Sequence, residues 1–152
     1  MKILNQLCFI FFLSMNIFSC SSQLFKQLEW NYMNKELNPQ ITSYLLNSGY
    51  KKINVYYDSR NKVDGEWLCY GWSKIADDIY VINVSKIPDS KTGYNYIIIY
   101  SDTEKEIIFE SEPFYDSALE IEFQRLKNRR ILLNIGLIME DEIDYKKLEI
   151  EY

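Results

Sequence analysis

The sequence predicts an α+β fold: two N-terminal helices, a mainly antiparallel sheet of five to seven strands, and one further helix near residues 117–128. Three observations lead there. Apolar residues recur at helical spacing between Leu24 and Ser48. They alternate or run continuously between Lys52 and Ser111, and the period turns helical again after Ser117.

The elements follow in order. Leu24, Phe25, Leu28 and Tyr32 fit one face of a first helix ending near Lys35. In "NPQITSYLLNSGY", Asn38 is a good N-cap, Pro39 suits the first helical position, and Gly49 stands where a C′ glycine belongs. Ile41, Tyr44, Leu45 and Ser48 share a face of that second helix. "KINVYY" alternates as a strand, and "DSRNKVDG" supplies a turn into "EWLCYGWSKI". Asp77-Asp78 marks a hairpin tip that returns through "IYVINVSKI". After the loop "PDSKTG", "YNYIIIYS" and "EIIFES" form another hairpin around Asp102 to Lys105. Short links favour neighbouring pairs, hence a meander.

"SALE" then reads as a capping box, with Ser117 as N-cap and Glu120 at N3, and Leu119, Phe123 and Leu126 follow at helical spacing. Arg125, Lys127, Arg129 and Arg130 gather where a helix dipole favours cations. "RILLNIGLIM" reads as a buried strand, "KLEIEY" as an edge strand, and "EDEID" between them as a solvated loop.

The first twenty residues have a different character. Lys2 precedes an apolar run from Leu7 to Phe18, the length of a signal-peptide core and short of the roughly 20 residues a spanning helix needs. Ile17-Phe18-Ser19-Cys20 resembles the lipobox of bacterial lipoproteins. That resemblance, confined to residues 1–20, implies cleavage before Cys20 and a diacylglyceryl thioether on its sulfur, usually with an N-acyl chain such as palmitate. Each buried CH₂ contributes about 0.8 kcal/mol, so two or three chains hold where one would not. The alternatives are an ordinary secretory signal or an uncleaved N-terminal helix. Residues 1–19 are thus expected as signal peptide, 20–24 as a short lipid-anchored tether, and 25–152 as a single domain. Ser21, in place of the aspartate that retains enteric lipoproteins in the inner membrane, implies the outer membrane. No acidic run of the kind linked to surface export follows Cys20, so the body is expected to face the periplasm.

From Cys20 the chain runs 133 residues, enough for one domain and too few for two. Without Lys2, the 17 basic residues become 16 against 22 acidic ones, a net charge of −6. Such a body is a poor partner for nucleic acid and suits a basic protein. With Cys8 removed and Cys20 acylated, Cys69 is the remaining thiol, read as a small buried apolar residue, and no intramolecular disulfide can form. The sequence contains no histidine, which excludes Ser-His and Cys-His catalysis, histidine metal ligation and imidazole switching.

Several motifs fall short of a site. Lys91-Thr92-Gly93 with "SGYK" or "SRNK" matches fragments of the penicillin-recognising serine enzymes. Ser48 and Ser59 are wrongly placed for them, and the S-D-N element is missing. "DSRNKVDG" puts Arg60 and Lys62 where a calcium loop needs oxygens. Carboxylates at Asp77, Asp78, Asp102, Glu104, Glu106, Glu110 and Glu112 single out no glycosidase pair. No catalytic residue, metal or cofactor is expected.

Two candidate partner surfaces remain: the acidic run with Glu140, Asp141, Glu142 and Asp144, and the aromatics Trp67, Tyr70 and Trp72. Leu68, Tyr70 and Trp72 would share one face of a strand, with Trp67, Cys69 and Gly71 on the other. Either that aromatic surface is open to a partner or the terminal helix covers it. The expected function is a non-enzymatic protein-binding lipoprotein, in its sharpest form an immunity or inhibitor protein for a basic toxin. The alternatives are a structural or assembly accessory of the envelope, and a glycan-binding or hydrolytic lipoprotein.

Overall fold

The computed structural model describes residues 24–33, 35–59, 62–87, 95–114, 119–139 and 142–152. Residues 1–23, with Cys20, lie outside this set, as do the expected loop at 88–93, Ser117, Glu140 and Asp141.

The described chain is mostly strand. The expected pair of N-terminal helices, single sheet and late helix give way to one helix and eleven strands in three antiparallel sheets. Strands β1 (Lys26–Gln27) and β2 (Asn31–Tyr32) precede helix α1 (Pro39–Asn47). Strands β3 (Ile53–Asp58) and β4 (Val63–Trp67) pair as a separate ribbon. Next come β5 (Cys69–Lys74), β6 (Ile79–Ser85), β7 (Asn95–Ser101) and β8 (Glu106–Glu110), which with β2 form a five-stranded sheet ordered β2-β5-β6-β7-β8. Finally β9 (Leu119–Leu126), β10 (Arg130–Met139) and β11 (Glu142–Glu151) join β1 in a four-stranded sheet ordered β1-β9-β10-β11.

Alternation along the central strands builds three layers. Ile79 and Val81 of β6 and Ile97 and Ile99 of β7 meet Ile121, Ile131, Leu133, Ile135 and Ile150 of the four-stranded sheet. The intervening Tyr80, Ile82, Ile98 and Tyr100 meet Ile41 and Leu45 of α1. The five-stranded sheet is therefore covered on both faces, which is why β7 can carry three consecutive isoleucines. The order is helix, sheet, sheet.

Helix α1 has the signals the sequence offered. The Asn38 side chain accepts from Gln40 N–H at 2.9 Å, and Pro39 follows at the first turn. Its end is a Schellman motif: Tyr50 N–H donates to Leu45 O at 3.1 Å and Gly49 N–H to Leu46 O at 3.3 Å. Gly49 takes φ +95°, which a Cβ disfavours.

The late helix is corrected to β9. Ile121 and Phe123 point to the core, while Glu120, Glu122 and Gln124 alternate with them, a period of two that Ile121 decides. The basic cluster assigned to a helix end instead surrounds a tight turn, in which Asn128 and Arg129 take φ 61° and 55°. Arg129 is held there by Asp78 at 3.1 Å and by the Tyr152 ring at 5.3 Å.

The first expected helix is corrected to β1 and β2. Lys26 pairs with Phe123 in one sheet and Tyr32 with Gly71 in the other, so this segment crosses from sheet to sheet. Leu28 N–H donates to Ile121 O at 2.8 Å, and Leu28 and Trp30 pack into the core between the sheets. At the second crossing point Gly71 admits Trp30, whose Cε3 would lie 3.2 Å from any Cβ placed there.

"EWLCYGWSKI" is divided at Leu68 between β4 and β5, which belong to different sheets. "EDEID" is corrected in part: Glu142 and Asp144 stand in β11, opposite Met139 and Leu137, rather than in a loop. Strand β11 is an edge strand, as the sequence suggested. No described helix is long and apolar enough to cross a membrane.

Candidate functional site

The aromatic trio does not share one open surface, and a bulge is the reason. Cys69 pairs with Val84 but Gly71 with Asn83, so β5 carries one extra residue across this step. Cys69 and Trp72 thereby face the α1 layer together, whereas Tyr70 turns to the small core of Met33, Ile53 and Val63 beneath the β3–β4 ribbon. Trp72 tilts against Tyr80 with ring centroids 6.1 Å apart, and its indole N–H donates to Lys35 O at 3.2 Å. The expected pairing of Tyr70 with Trp72 on one face is thus overturned. What covers the far side of the sheet is β9–β11, not a terminal helix.

Trp67 is left in a distinctive place. It packs against the Met33–Ile53–Val63 cluster and lines a cleft of about 310 Å³ between β4 and the segment leading into α1. The cleft wall is largely apolar, with Leu37, Pro39 and Leu68, while Lys35, Glu36, Lys52 and Glu66 set charges of both signs about it. The Trp67 indole nitrogen is shielded from solvent and meets no acceptor among the described residues. A buried donor without a partner costs roughly 1–3 kcal/mol, a local cost that the surrounding packing must offset. The volume is at the lower end of small-ligand pockets and suits one side chain or a short piece of peptide.

Cys69 also lines this cleft, 6% exposed. Burial pushes its thiol up to about 12, with a Gly71 backbone hydrogen bond pulling weakly the other way. The thiol stays protonated near neutrality and is no nucleophile.

A second polar group lies at the α1 end of the sheet. Tyr50, 1% exposed, donates from its hydroxyl to Glu110 Oε2 at 2.5 Å, across 60 residues of sequence. Lys86 pairs with the other carboxylate oxygen and stands over the rings of Tyr50 at 5.4 Å and Tyr96 at 4.8 Å. Burial acts to raise the Glu110 carboxyl. The Lys86 and Tyr50 hydrogen bonds and the Lys86 charge together outweigh it and hold the carboxyl below its ordinary value. The Tyr50 hydroxyl is driven far up, first by burial and then by the Glu110 hydrogen bond. An ionised carboxylate, a protonated phenol and an ammonium closed on one another form an anchor rather than an acid–base pair. Sequence reasoning missed this group because no local pattern links Tyr50, Lys86 and Glu110.

The carboxylates at the hairpin tips are likewise engaged. Asp78 accepts from Thr103 at 2.7 Å and from Arg129 at 3.1 Å, and Asp102 from Lys105 at 2.7 Å. Among the described residues, no group of three His, Cys, Asp or Glu side chains could hold a metal ion. Glu142 and Asp144 stand on the four-stranded sheet and Trp67 on the β3–β4 ribbon, so the two expected surfaces are not brought together by any shared sheet. Glu140 and Asp141 lie outside the described residues. No family model, curated protein or solved structure matches this chain.

Proposed function

We propose that this chain is a lipoprotein tethered through Cys20 to the outer membrane, with its domain facing the periplasm and binding a protein partner without chemistry. The cleft at Trp67 carries the reading. It combines a largely apolar wall with charges of both signs about it, which together match a partner's inserted segment better than a substrate undergoing reaction. The net charge of −6 favours a basic partner, with an immunity protein against a basic toxin as the sharpest form.

A photo-reactive residue placed at Lys52, on the cleft, and another at Lys147, on the outer face of the four-stranded sheet, test this in the source cells. One basic adduct at position 52, weakened by salt and missing at position 147, is the expected result. An adduct indifferent to salt would favour an envelope assembly role. Equal adducts at both positions, or none, would overturn the proposal.

A further inference from the structure

Strand β1 lies on β9 at one edge of the four-stranded sheet. Lys26 stands opposite Phe123, and Leu24, Lys26, Phe123 and Arg125 line an open cleft of about 440 Å³ at that corner. Leu24 is 79% exposed, the highest value among the large apolar side chains described, and Phe25 is 37% exposed. An exposed pair of this kind at the start of a domain has no part in its core. Among the described residues its lining has two cations and no carboxylate, although the domain as a whole is acidic. Arg125 donates from Nε to Ile75 O at 2.8 Å, which fixes its stem and leaves its remaining N–H groups for other acceptors. Lys26 makes no ion pair with any described residue.

Chain length decides what this corner meets. Three residues lie between Cys20 and Leu24, so four residue steps give a reach of at most about 14 Å when fully extended. The headgroup layer outside the hydrocarbon is roughly 5–8 Å deep. An acylated Cys20 therefore holds Leu24 in or just above that layer, and Leu28 N–H on Ile121 O fixes the strand that follows it to the body.

We propose that this β1 corner seats on the phospholipid surface that holds Cys20, with Leu24 and Phe25 entering the interface and Lys26 and Arg125 meeting lipid phosphate. The inference rests on the lipoprotein reading and adds to it a fixed seat: the domain stands on the bilayer in one orientation instead of swinging on a leash. Interfacial insertion of apolar side chains beside cations follows the physics of surface-lying segments.

The test uses the acylated full-length product in vesicles of phosphatidylethanolamine and phosphatidylglycerol. Mass analysis of the Cys20 peptide first establishes the acyl chains. An environment-sensitive fluorophore is then attached at Phe25→Cys or, as a control of matched exposure on the helix layer, at Leu46→Cys, which is 40% exposed in the native chain. Quenching by bromine-labelled acyl chains is expected at position 25 and not at position 46. Adding Lys26→Glu should cut the quenching at position 25 at least twofold. An unacylated Cys20 would remove the anchor and this seat with it. An acylated chain with position 25 no better quenched than position 46 would overturn the seat alone and leave the anchor standing.

Discussion

Replacing Tyr50 with phenylalanine should weaken the fold by a predictable amount and in a pH-dependent way. The ring is almost wholly buried and keeps its place, so no cavity opens. What is lost is the 2.5 Å hydrogen bond to an ionised Glu110. Hydrogen bonds to charged groups contribute roughly 1.5–3 kcal/mol. Glu110 keeps 34% of its side chain in solvent and retains Lys86, so water replaces part of the loss. The low end applies, about 1.5 kcal/mol, or about 5 °C in Tm for a domain of this size. Because the folded Glu110 carboxyl lies below its ordinary 4.5, its contribution is present above that value and is lost as pH falls through the folded one. The gap between native and Tyr50→Phe chains should therefore narrow in acid. At the other extreme, the raised Tyr50 hydroxyl stabilises fully below its ordinary 10.0 and progressively less as pH rises beyond it. The substitution should remove that alkaline loss. Thermal unfolding followed by circular dichroism from acid to alkaline pH reads all three effects. A Tm change under about 1 °C at neutrality, or a gap that stays the same in acid, would refute the anchor described here.

Three further outcomes follow from the packing. Gly49→Ala forces a Cβ into φ +95°, although nothing lies within 4 Å to clash. It should cost about 1–2 kcal/mol by denaturant titration, with Gly49→Asn milder. Ile98→Ala empties a fully buried position between α1 and the central sheet and should cost about 2–5 kcal/mol, read as a shifted midpoint at unchanged slope. In a Cys8→Ala/Cys20→Ala chain, Cys69 should resist a thiol reagent at mildly alkaline pH until the domain unfolds, since its pKa is near 12. Labelling within minutes under native conditions would contradict its burial.

The parts of this fold that sequence made legible are those decided locally. Asn38, Pro39 and Gly49 cap α1 with their own backbone chemistry, and the hairpin tips at Asp77-Asp78 and Asp102 to Lys105 announce themselves by composition. The failures occur where two periods fit one short apolar set. Leu119, Phe123 and Leu126 satisfy a helix, while Ile121 and Phe123 with the glutamates between them satisfy a strand, and only the facing sheet decides. Leu24 to Tyr32 failed likewise, since its partners Phe123 and Gly71 are remote. Trp67 was singled out by residue type. The cleft around it was not legible, because it needs Met33 and residues 35–42 to be placed against β4.

The pairing of β1 with β9 also imposes an order on folding. Lys26 and Phe123 lie roughly a hundred residues apart, so loop closure makes this contact among the slowest to form. The meander from β5 to β8 can assemble from neighbours as soon as it is free, whereas β1 has no partner strand until β9 is in place. If Cys20 is processed as proposed, β1, which begins six residues after it, stays without its partner strand for as long as the distal half of the chain is still being threaded. Closure of β1 then waits for β9, and it covers the β9 edge that would otherwise invite pairing with a second unfinished copy.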